Sequence, residues 1–212
     1  MKIILAALLL VQPLAAFDTP LSEEAIREAY FLGQRHDESL IKALEKYTQQ
    51  LPVPSSGPHI AFVTCLTPFA QAVLLSSQQT ANYSAQQAQL DHRHLRETVQ
   101  VQIAIRFTNS YGSMVPANPS ASPKDHPSLI PRPADFWRDF DDAVFDGDKL
   151  LDPTSSTGRP DYVCDEGGCV LVGATILLDF PAEAFAEQDV TVHVTPPEGD
   201  EVVANFDLTQ VR

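Results

Sequence analysis

Hydrophobic positions in this chain repeat at helical spacing in its first part and at period two in its second. Ala25, Ile26, Ala29 and Tyr30 recur at helical spacing, and Leu40, Ile41, Leu44, Tyr47 and Leu51 form a second stripe. Ser22 is suited to cap the first helix, with Glu23 and Glu24 at the positive end of its dipole and Gly33 as its stop. The second starts at Asp37 and ends before Pro52 and Pro54, so the pattern predicts an N-terminal helical hairpin. His59 to Leu66 reads as a strand buried on both faces. Thr67-Pro68 opens a helix to about Gln79, and Ser84 caps a weaker one through His94.

From Thr98 the period becomes two. Val99, Val101, Ile103, Ile105 and Phe107 share one face of the clearest strand in the sequence. Six prolines between residues 115 and 134 mark an irregular excursion. Phe136 to Phe145 reads as strand or short helix, followed by an Asp146-Gly147 turn. A hairpin joins Tyr162–Cys164 to Cys169–Phe180, and Val190–Val194 turns through Pro196-Pro197 into Val202–Leu208. The expected class is α+β: the helical hairpin packed on or beside an antiparallel β-sandwich, Ig-like in general character. Residues 17–96 form a mainly helical region with one strand near 59–66, and residues 97–212 a sandwich-like region.

The N-terminus changes the picture of where this protein works. Lys2, an apolar run from Ile3 to Val11, Pro13, and the small pair Ala15-Ala16 make the three regions of a secretory signal peptide over residues 1–16. The run is far shorter than the roughly 20 residues that cross a bilayer as a helix. The expected product starts at Phe17, has no stable membrane span, and is secreted or periplasmic. In an oxidising compartment Cys164 and Cys169, either side of Asp-Glu-Gly-Gly, are expected to pair, and Cys65 to be a buried thiol. A lone C-x4-C without nearby histidine lacks the ligands for zinc. Asn82-Tyr83-Ser84 matches the glycosylation sequon.

Charge excludes one class of partner. The net charge is −14, and residues 135–212 hold 18 Asp and Glu against Arg138, Lys149, Arg159 and Arg212. Residues 1–134 are balanced at ten of each sign. Such a surface repels phosphate backbones, so no nucleic acid is expected. The partners that fit are a protein or a glycan.

Catalytic motifs are sparse. Ser39 and Lys42 match S-x-x-K but lack the S-D-N and K-T-G elements, and Leu40 and Ile41 belong to an ordinary helical stripe. His92 and His94 diverge if, as expected, they end a helix. Asp142, Asp146, Gly147 and Asp148 resemble part of an EF-hand loop, but Val144 and Pro153 stand at two ligand positions. The only cofactor these residues could take is calcium, in a loose extracellular-type site at Asp142, Asp146 and Asp148. No catalytic residue is assigned. The expected role is a non-enzymatic binding or structural module; the alternative is a secreted hydrolase or carbohydrate-active enzyme using C-terminal acidic residues.

Overall fold

A computed structural model describes residues 17–79, 83–117 and 128–212. The leader, Asn82 of the sequon and the middle of the proline-rich excursion lie outside the described residues. The class is α+β, with four α-helices among the described residues and with every described strand pairing antiparallel. No helix among the described residues is long and apolar enough to cross a membrane.

The helices are α1 (Glu23–Gly33), α2 (Glu38–Glu45), α3 (Pro68–Gln78) and α4 (Ala85–His92). Each starts where a side chain satisfies an orphan backbone donor: Ser22, Asp37, Thr67 and Ser84 accept from Ala25, Ser39, Ala70 and Gln87 N–H. The helix expected to run to Leu51 stops at Glu45. The chain turns at Lys46 and Tyr47, and Thr48–Gln50 becomes strand β1. Tyr47 accounts for the difference: it is buried against Leu66 and Ala70, and its carbonyl accepts the Cys65 N–H. Tertiary pairing here overrides helical periodicity. After α1 the chain turns through His36, whose φ is 50°, but α1 packs chiefly on α3 and α4. Ala25, Ile26 and Ala29 are buried with Phe69, Val73 and Ala88, and α2 adds only Leu40 and Leu44 at the margin.

The remaining strands are β2 (His59–Leu66), β3 (Thr98–Arg106), β4 (Met114–Pro116), β5 (Leu129–Pro131), β6 (Asp141–Asp146), β7 (Lys149–Leu151), β8 (Ser155–Asp165), β9 (Gly168–Pro181), β10 (Asp189–Thr195) and β11 (Val202–Asp207). One sheet has the order β1-β2-β3-β9-β8 and a second β11-β10-β6-β7; β4 and β5 pair alone at the base of the excursion. The first sheet runs across residue 96, because β2 pairs with β3 from His59↔Arg106 to Leu66↔Gln100.

Both sheets feed one buried cluster. Val99, Val101, Ile103 and Ile105 of β3 and Ile176, Leu178 and Phe180 of β9 join Val190, Val192 and Val194 of β10 and Phe206 of β11 there. Phe17 is buried in the same cluster, with its ring 6.4 Å from that of Phe185. On its other face β3 is polar: Gln102 donates to Gln100, which donates to Asp179. The segment 136–146 resolves into both expected forms, a 3-10 turn over Phe136–Asp139 and then β6. Trp137 of that turn lies on Gly158 of β8, where any Cβ would overlap the indole.

Candidate functional site

Among the concavities of the described residues, two differ in whether their polar groups are free. The first opens beside α4, where His92 Nε2 lies 2.8 Å from Glu97 Oε1. Both side chains are largely buried, 15% and 12% exposed. They stand between clefts of about 230 and 570 Å³, walled by Ile26, Pro68, Leu75 and Leu95. Glu97 also accepts the Leu21 N–H at 2.7 Å and the Thr19 hydroxyl at 2.8 Å. Gln71, on the same wall, donates to the Leu66 and Thr98 carbonyls. The carboxylate has three donors and clasps the chain as it enters α1. These polar groups serve the fold. His94 is exposed beyond the end of α4, so it and His92 diverge as helix geometry requires.

The second concavity lies where the two sheets part. β1 and β11 meet at one point, where Gln49 Oε1 accepts the Asn205 N–H at 2.8 Å. Beyond it, Pro52 and Pro54 stop β1 from continuing, since neither can donate to a ladder. Opposite, the turn after β10 leads into β11 through Gly199 at φ 100°. The loops touch again where Gly57, at φ 82°, backs onto the Glu198 carbonyl; a Cβ there would collide with it. Between these contacts runs a groove of about 420 Å³. Leu51, Val53, Ile60 and Val202 give it apolar walls, and Glu198, Asp200 and Glu201 line it with no Lys or Arg among its lining residues. His193 Nδ1 lies 2.9 Å from Glu201 Oε1. Glu198 and Asp200 have no ion pair among the described residues.

The acidic residues singled out from sequence are dispersed. Asp142 and Asp146 share the inward face of β6, four residues apart, which is about 13 Å along a strand. Asp146 is 2% exposed, and its oxygens accept the Ala186 and Glu187 N–H groups at 2.9 and 3.1 Å. Asp148 is exposed in the turn. Burial, and then the neighbouring Asp141 charge, push the Asp142 carboxyl above its ordinary range. Among the described residues no group of three or more His, Cys, Asp or Glu is placed to hold a metal ion. Other C-terminal carboxylates are engaged singly: Asp161 with Arg106 and Thr175, Asp179 with Gln100, Asp207 with Thr209 and Gln210. Ser39 donates to Asp37, and Lys42 pairs with Glu38.

Cys164 and Cys169 stand at disulfide distance, directly opposite each other near the tip of the β8–β9 hairpin. Cys65 is a free, fully buried thiol that burial pushes up to about 12. Sequence reading missed both Glu97 and the groove. Glu97 had one available signal, an acid directly after His92, Arg93, His94 and Arg96 and just ahead of the strongest strand. The groove had none, because its walls are over 130 residues apart in the chain. No known family model matches this chain, and no curated protein matches it.

Proposed function

We propose that this chain is an exported, non-enzymatic binding module, in which the two antiparallel sheets stack as a β-sandwich and the groove between their parted edges is the recognition surface. The groove carries this reading: an apolar-walled trough with free carboxylates, built by loops at one end of the sheets, is suited to binding. The shared core of the two sheets supports the sandwich. The leader over residues 1–16 and the cysteine pair at disulfide distance support export. A carboxylate-based hydrolase is less well supported, because the C-terminal acids that hydrogen-bond do so one at a time with donors rather than facing one another.

The test is amide chemical-shift mapping of residues 17–212 against a panel of soluble peptides and neutral oligosaccharides. Shifts clustered at 51–60 and 196–203 are the expected result. Turnover of any panel member, or shifts confined to the clefts around His92, would refute the reading. N-terminal sequencing of material exported by the native host should begin at Phe17.

A further inference from the structure

Resting on the binding role proposed above, we infer that the groove takes an extended, basic polypeptide segment with apolar side chains, supplied by a partner protein and added along the free edge of β11. Three observations converge on this occupant.

The first is the edge itself. β11 is the last strand of its sheet, paired with β10 on one side only. Asn205 directs its N–H away from β10, to Gln49. Backbone groups alternate along an antiparallel strand, so Val203, two residues earlier, presents its N–H and C=O on the same free edge. Gln49 satisfies that edge at Asn205, but at Val203 the groove has opened and β1 has ended. A strand laid there would pair with the outward N–H and C=O of Val203, which bond to no group among the described residues.

The second observation is the apolar surface on both sides of the groove. Val53 is 71% exposed and Val203 38%, so each offers apolar surface to alternate side chains of such a strand. The third is charge. Glu198, Asp200 and Glu201 line the groove, and the surrounding third of the chain is strongly acidic. A second copy of this chain would bring net charge −14 against the same field, so self-pairing is disfavoured. Lysine or arginine side chains of a partner meet carboxylates on one side while the backbone meets the edge.

The experiment is selection of a random-peptide display library on immobilised residues 17–212, followed by fluorescence polarisation with the enriched peptides. Enrichment of Lys and Arg interleaved with β-branched residues is expected. The triple substitution E198Q, D200N and E201Q should weaken those peptides at least about tenfold, and added salt should weaken them further. Val203→Pro removes the outward donor while sparing the ladder to β10, and it too should weaken them. Melting curves establish that both variants fold; where Val203→Pro does not, the triple variant decides alone. No enrichment, enrichment of acidic sequences, or equal binding to the triple variant overturns the inference. Shifts at 51–60 and 196–203 with neutral oligosaccharides alone would overturn it and leave the binding role standing, whereas no shift there with any ligand removes both.

Discussion

Asp146 and Asp142 show how two carboxylates on one strand face can differ in effect. Asp146 is buried but meets two backbone donors that nothing else satisfies. Asp146→Ala leaves those donors orphaned and should cost about 3 kcal/mol in urea unfolding, whereas Asp146→Asn, which keeps one acceptor, should cost about half as much. Asp142 lies on the same face without comparable compensation, and burial and Asp141 raise its pKa. A raised folded pKa means the folded state holds the proton more tightly. Stability from Asp142 is therefore complete below the unfolded value and is lost as pH rises through the folded one. Asn stays neutral throughout. Asp142→Asn should raise the melting temperature near pH 7, and the gain should vanish below about pH 3, where the wild-type carboxyl is protonated anyway. A gain that persists in acid would mean that packing, rather than charge, is responsible.

At the scale of elements, local signals were legible and neighbours were not. The four helix caps could be read directly, because a cap is a contact between residues three or fewer apart. β3 declared itself through Val99, Val101, Ile103 and Ile105, all fully buried. β1 and the first half of β8 could not be read, since Thr48–Gln50 and Ser155–Pro160 have no apolar alternation; they are strands because β2 and β9 offer them an edge. The hairpin tip can be tested as an element. β3 accompanies β9 as far as Gly173, Phe107 N–H reaches the Val172 carbonyl and Leu171 is buried in the core, so beyond them Tyr162–Asp165 and Gly168–Val170 are held chiefly by each other. A bond between Cys164 and Cys169 closes a six-residue loop, worth about 2 kcal/mol in the chain-entropy account. Reductant should therefore speed amide exchange in residues 162–170 and leave Val99–Ile105 protected. Iodoacetamide should label Cys164 and Cys169 only after reduction, and Cys65, whose thiol burial pushes up to about 12, only after unfolding. Labelling of the pair without reductant would show that it is not covalently joined.

For the whole molecule, what the sequence could not supply is which strands become neighbours. Gln49 and Asn205 touch across 156 positions, and no local pattern announces that contact or the groove beside it. Charge, by contrast, is a global property that composition does reveal. Of the 18 acids in the last third, Asp135, Asp161, Glu183 and Glu201 are the ones in described ion pairs, so most of its negative charge is uncompensated at short range. The self-repulsion of such a field opposes the compact state and is screened by salt. Raising NaCl from about 0.02 to about 0.5 M shortens the screening length from about 20 Å to under 5 Å, less than the spacing of most surface charges. The melting temperature should rise over that range, most steeply at the low end. Neutralising Glu198, Asp200 and Glu201 together should flatten the rise, because those three charges lie close together at one end of the sheets. A melting temperature that falls with salt would show instead that the exposed ion pairs outweigh the repulsion, a result at odds with the small value of such pairs.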